Sequence, residues 1–157
     1  MGKAIISILA ILIYQTACFS LDTGSIAPHF TLQNSVGKTV SLKDFKGQTV
    51  VLEWTNHGCP FVKKYYKKGD MQTLQKQMTA NKVIWLSIIS SAKGKQGYCS
   101  PKKAEEIRRQ QKWHNTHTLL DPSGKTGRQY AAKTTPHMFV INPKGVIVYQ
   151  GAIDSIA

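Results

Sequence analysis

Two apolar, β-branched runs separated by one helical stretch constrain this chain more than any other feature. Residues 49–55 and 82–89 carry the Val, Ile, Leu and Trp density of strands buried on both faces. Between them a helical pattern runs from Phe61 to about Met78, with Pro60 suited to its first position and Gly69 as a candidate bend or break. Strand, helix, strand in that order is a parallel crossover, because an antiparallel pair would need only a tight turn. The pattern continues with a helix opened by Ser100 and Pro101, with Glu105 and Glu106 nearby, and then a short strand at 118–120. A turn at 121–124 and a short helix near 127–130 follow. Alternating runs at 30–32 and 39–42, around Gly37, predict a hairpin before the crossover. Runs at 137–141 and 146–149, joined by Asn142-Pro143-Lys144-Gly145, predict another after it. The expected fold is α/β: a central mixed sheet with an N-terminal β-hairpin, a C-terminal β-hairpin and helices on its faces. No helical pattern follows the last hairpin.

The ends and the charge narrow the function. Lys3 precedes an apolar run from Ala4 to Ile13, followed by polar Gln15 and Thr16 and by small residues up to Ser20. That order predicts a signal peptide over residues 1–20, with the domain over 21–157. The apolar run is too short for a stable bilayer span, which needs about 20 residues. A lipid anchor at Cys18 is the less favoured alternative, since Gln15 stands where such signals usually carry Leu. The expected location is periplasmic or secreted, an oxidising setting for cysteine. The 21 Lys and Arg against 8 Asp and Glu, a formal charge of +13, permit acidic partners but select none. An apolar fraction of 41% excludes a disordered basic tail, and three cysteines exclude a disulfide-dense miniprotein.

One constellation carries chemistry. Cys59 stands at the strand-to-helix junction, just before Pro60. A thiol there meets unpaired backbone N–H groups and the positive end of the helix dipole, both of which favour the nucleophilic thiolate. His57, two residues back, could add positive charge.

Trp54-Thr55-Asn56-His57-Gly58-Cys59-Pro60-Phe61-Val62 and Thr134-Thr135-Pro136-His137-Met138-Phe139-Val140-Ile141 resemble the thioredoxin superfamily. More narrowly, the chain is similar to exported redoxins of the alkyl hydroperoxide reductase/thiol-specific antioxidant family. Ala27-Pro28-His29-Phe30-Thr31-Leu32, Gly37-Lys38-Thr39-Val40-Ser41-Leu42 and Asp44-Phe45-Lys46-Gly47 share that pattern, so the likeness covers residues 24–154. It implies a thioredoxin-like three-layer fold and a thiol-dependent redox protein without a cofactor. It also implies a thiol, disulfide or peroxide partner. Cys59 matches the attacking cysteine, and Pro136, after Thr135, matches the cis-proline whose loop faces the thiol. Glu53 matches the buried acid that relays protons, while its residue-level reading leaves an exposed strand carboxylate or an ion-pair partner open. The chain departs from the pattern at Val62, which stands where a second cysteine would complete C-x-x-C. Asn56 stands where typical peroxiredoxins place Thr or Ser, and Pro136 lies where they carry a nearby Arg. Similar proteins continue past the last hairpin into a helix and a tail, so the closing helix is expected to be missing here. The second thiol is then a partner's, a small reductant's, an absent tail's or Cys99, which otherwise reads as an incidental exposed thiol.

The remaining signals are weaker. Cys59 with His137, and His57 near them, would give a soft copper site in a non-enzymatic binding module, the alternative class. His114 and His117 read as two surface histidines rather than metal ligands. Lys63-Lys64-Tyr65-Tyr66-Lys67-Lys68 reads as a solvated helix face with inward aromatics, not a nucleic-acid surface.

Overall fold

β3 (Val50–Trp54) is buried at all five positions and lies inside the sheet. The structure is a computed structural model and describes residues 21–154. The predicted signal peptide, Cys18 included, lies outside the described residues. β3 pairs in parallel with β4 (Ile84–Ile89) and antiparallel with β6 (His137–Ile141). With β1 (Thr31–Asn34), β2 (Thr39–Ser41), β5 (His117–Leu120) and β7 (Ile147–Gly151), they form a seven-stranded mixed sheet in the order β2-β1-β5-β4-β3-β6-β7.

The strand period of two sorts residues onto two cores. Val50, Leu52 and Trp54 point to one, with Phe30, Tyr130 and Phe139. Val51 points to the other, where Val62, Tyr66, Met71, Trp85 and Ile107 pack. The second core is covered by α1 (Pro60–Lys68), α2 (Asp70–Ala80) and α3 (Pro101–Gln110), and short α4 (Lys125–Gln129) leads into Tyr130 on the first. Helices on both faces make the three layers. Leu52 and Phe139 are fully buried, and truncating such a side chain to Ala costs about 2–5 kcal/mol.

Of the bend or break that Gly69 offers, the structure has the break, which gives two helices. Gly69 adopts φ +83, caps the C-terminus of α1 and immediately precedes α2. In this left-handed conformation its N–H reaches the Tyr66 carbonyl at 3.3 Å. The N-terminal hairpin pairs Thr31 with Ser41 and Gln33 with Thr39, and then enters a 3-10 turn at Leu42–Phe45. Ser41 and Asp44 close that turn with a reciprocal capping box. Among the described residues no helix follows β7, an edge strand on which Val148 and Tyr149 are exposed.

Candidate active site

β3 ends at Trp54, and five residues later the chain begins α1 at Pro60. Asn56 shapes the turn: its Oδ1 accepts from the Gly58 N–H at 2.8 Å, and its carbonyl accepts from the Cys59 N–H at 2.9 Å. Cys59 is the N-cap residue, in extended conformation, and its carbonyl accepts the Lys63 N–H at 3.0 Å. The loop before α3 packs on this turn. Gly97, at φ +85, lies so close to Asn56 that a Cβ would come within 2.6 Å of that side chain.

Cys59 is partly exposed. Its Sγ lies 3.2 Å from the Thr135 carbonyl, which accepts the thiol proton, and the Thr135–Pro136 peptide is cis. Burial alone would raise the Cys59 pKa. A hydrogen bond from the Thr135 side chain, the backbone N–H groups of Val62 and Phe61, and the charge of Lys63 together outweigh it and lower the pKa. The helix N-terminus and its neighbours therefore favour thiolate.

His57 does not supply the expected positive charge. Burial, then Lys103 and Lys63, lower its pKa, so it is neutral at pH 7. Its Nδ1 stands 3.6 Å from Cys99 Sγ. Cys99 is not an exposed thiol: it is 5% exposed, and burial raises its pKa against the opposing charge of Lys103. Both cysteines are free and border the same core.

Glu53 is neither an exposed carboxylate nor part of an ion pair. It is fully buried and accepts from Tyr66 Oη at 2.6 Å, Trp85 Nε1 at 2.8 Å, Ser87 Oγ at 3.0 Å and Gln75 Nε2 at 3.1 Å. Gln75 also donates to Tyr66 Oη and, through Oε1, accepts the His114 N–H. Desolvation outweighs these four donors and raises the Glu53 pKa. These partners were missed in the sequence. The one local hint is Ser87, the lone polar residue of β4, placed opposite Glu53 by the parallel register.

His137 begins β6 beside Trp54, accepts the Lys133 N–H at Nδ1 (3.3 Å) and lies against Phe139. Among the described residues no three His, Cys, Asp or Glu side chains gather where they could hold a metal ion, so Cys59 and His137 acquire no third donor. His114 is exposed, whereas His117 is half-buried, with Nδ1 3.4 Å from Asn34 Nδ2.

The model of the AhpC/TSA family matches residues 23–150. The chain belongs to the AhpC/TSA family. A chloroplastic peroxiredoxin Q from Triticum aestivum is 38% identical over 68 residues, a match covering 36% of this chain and 31% of that protein. The match thus spans about a third of the curated relative. Among solved structures, a protein of Chlorobium tepidum assigned as a thiol:disulfide interchange protein, DsbE, is 27% identical with a TM-score of 0.68. It is matched over 83% of this chain and 85% of its own. The exposed lipoprotein thioredoxin Etrx1 of Streptococcus pneumoniae is 25% identical with a TM-score of 0.63, over 81% of this chain and 92% of its own. This AhpC/TSA chain therefore has a thioredoxin-like fold.

Proposed function

We propose that this AhpC/TSA protein is an exported thiol oxidoreductase whose attacking group is Cys59. The observation that carries the reading is a partly exposed thiol at the N-cap of α1 whose sulfur lies 3.2 Å from the carbonyl of Thr135, the residue before cis Pro136, in surroundings that lower its pKa. The Cys59 thiolate attacks one sulfur of a disulfide, forming a mixed disulfide and releasing the other half as thiolate. With a peroxide it attacks one oxygen, forming sulfenic acid and releasing the alcohol or water. A second thiol then restores Cys59: one from a partner or a small reductant, with Cys99 as the internal candidate. Neutral His57 stands with Nδ1 3.6 Å from Cys99 Sγ, and in the tautomer that carries its proton on Nε2 it can take the Cys99 proton. Glu53, a buried carboxyl whose pKa burial raises and which accepts from Tyr66, is the candidate proton relay behind the thiol. The signal-peptide pattern of residues 1–20 supports export. Among the described residues no helix is long and apolar enough to cross a membrane.

The test is treatment of the protein and of Cys59→Ser with hydrogen peroxide and with a small disulfide, followed by sulfenic-acid trapping and mass spectrometry. A sulfenic or mixed-disulfide adduct on Cys59, absent in the variant, is expected. An unmodified Cys59 under both treatments would end the enzymatic reading.

A further inference from the structure

A cleft of about 390 Å³ runs between α1 and the end of α3, and His57, Val62 and Lys63, the near neighbours of Cys59 in the chain, lie in its wall. His57, Val62, Lys63 and Lys67 line it from one side, and Gln110, Gln111 and Lys112 from the other. Two residues of its wall act on the thiol: the Val62 N–H and the charge of Lys63 both favour the Cys59 thiolate, and Lys63 acts on His57 as well. The volume is that of a small-molecule or side-chain subsite.

Its charge has one sign. No Asp or Glu lines the cleft, and Lys63, Lys67 and Lys112 make no ion pair among the described residues. The acids of α3 are engaged elsewhere: Glu105 binds Arg108 and Arg109, and Glu106 binds Lys103. The same sign extends around the redox groups. The charges felt by His57 are those of Lys103 and Lys63, and the charge felt by His137 is that of Lys133. Gln72 Nε2 is spent on the Tyr66 and Gln111 carbonyls and Gln110 Nε2 on Glu106, while Gln72 Oε1 is buried without a partner, so the lysines are the groups of the wall that attract an anion. A concave site of one charge beside low-dielectric walls focuses the field and concentrates ligands of the opposite charge.

We propose that this cleft binds the negative charge of the disulfide or thiol that exchanges with Cys59, so that the preferred substrates are anionic and peptide-sized. The inference rests on Cys59 being the attacking thiol. In the reaction the Cys59 thiolate attacks the disulfide sulfur nearer the cleft. The Cys59–S–S–R bond forms as the R–S–S–R bond breaks, and the leaving half departs as RS⁻ with its electron pair. No further oxidant or reductant is needed. The lysines hold the carboxylates of the bound half while the sulfur is presented to Cys59.

Three symmetrical probes test this on the full chain: glutathione disulfide (anionic), 2-hydroxyethyl disulfide (neutral) and cystamine (cationic). The rate of Cys59 mixed-disulfide formation with each is read by mass spectrometry. The neutral probe serves as reference, because it cancels any change in Cys59 reactivity. In Lys67→Glu/Lys112→Glu, both exposed positions, the glutathione-to-neutral rate ratio should fall about tenfold and the cystamine-to-neutral ratio should rise. Lys144→Glu, in the β6–β7 turn at the opposite end of the sheet, should leave both ratios unchanged. Unchanged ratios in the double variant would overturn the proposal. An equal shift in Lys144→Glu would overturn it too, since net charge alone would then explain the preference. A protein whose Cys59 forms no adduct with any probe fails the thiol reading itself, a result distinct from adducts that ignore charge.

Discussion

Four hydrogen-bond donors surround the Glu53 carboxylate, and each lowers its pKa, yet full burial is the larger effect and the pKa is raised. The folded protein therefore holds this proton more tightly than the unfolded chain. The resulting stability is fully present below the unfolded value, near 4.5, and is lost as pH rises through the folded value. Glu53→Gln, which carries no titrating proton, should gain stability relative to the parent between pH 4.5 and 8.5 in urea unfolding. A pH-independent difference would show that the carboxyl does not titrate abnormally. Thr135 offers a cleaner test of the thiol, because Thr135→Val keeps the shape and the carbonyl but removes the hydroxyl that favours thiolate. The midpoint of Cys59 alkylation against pH should move up, and an unmoved midpoint would assign the activation to the Phe61 and Val62 N–H groups and Lys63 alone. Cys59 is legible in the sequence because its setting is local: strand, turn, Pro60, helix. The Glu53 network is not, since Tyr66, Gln75, Trp85 and Ser87 come from three elements that meet only in the fold. His57 is a partial misreading for the same reason. Nearness in sequence suggests Cys59 as its partner, whereas the loop before α3 brings Cys99 to it.

At the level of elements, Gly69 separates α1 from α2, and no atom lies within 4 Å of where its Cβ would be. Gly69→Ala therefore tests backbone strain without a packing clash. It should destabilise the protein by about 1 kcal/mol, with Gly69→Asn costing less because Asn tolerates the left-handed region. A neutral Gly69→Ala would mean that α1 and α2 can merge into the single helix that the periodicity of residues 61–78 suggests. Hydrophobic spacing carries across a one-residue break, so Gly69 itself, rather than the apolar pattern around it, marks the place. α3 is tied to the N-terminal hairpin through Glu105, which accepts from Ser35 Oγ at 2.9 Å and from Arg108 Nη2 at 2.6 Å. The Arg108 hydrogen bond leads in lowering its pKa to about 2, with Ser35 and Arg109 adding to it against a smaller opposing effect of burial. This stability is present above the unfolded value of 4.5 and is lost as pH falls toward 2. Glu105→Gln should cost about 1 kcal/mol at pH 7 and little at pH 2.5, by chemical denaturation at the two values. An equal cost at both would assign the loss to the Ser35 contact rather than to charge.

Across the whole molecule the charge balance is lopsided, with 21 Lys and Arg against 8 Asp and Glu. The described ion pairs all lie on α3: Lys103–Glu106, Arg108–Glu105 and Arg109–Glu105. Two of the eight acids, Glu53 and Asp121, are buried and engaged by uncharged donors, Asp121 by Ser90 Oγ and the Gly127 N–H. Cations gather at both ends of the sheet: Lys63, Lys67 and Lys112 beside the thiol, and Lys43, Lys46 and Lys144 around the start of β3. Folding brings these like charges together, and self-repulsion opposes the compact state. Added salt weakens that repulsion and also weakens the α3 pairs, so the sign of the net effect measures which is larger. The exposed pairs contribute a few tenths of a kcal/mol each. The repulsion is summed over more than a dozen cations outside these three ion pairs among the described residues, and it should win. Raising sodium chloride from 10 to 200 mM, which shortens the screening length to roughly 7–10 Å, should raise Tm by roughly 2–4 °C, equivalent to about 1 kcal/mol. Lys144→Glu should shrink the rise by placing an acid among the lysines at the start of β3. A Tm that falls with salt would instead mean that the α3 pairs outweigh the repulsion, and the excess of lysine would then bear on what the protein attracts rather than on how firmly it folds.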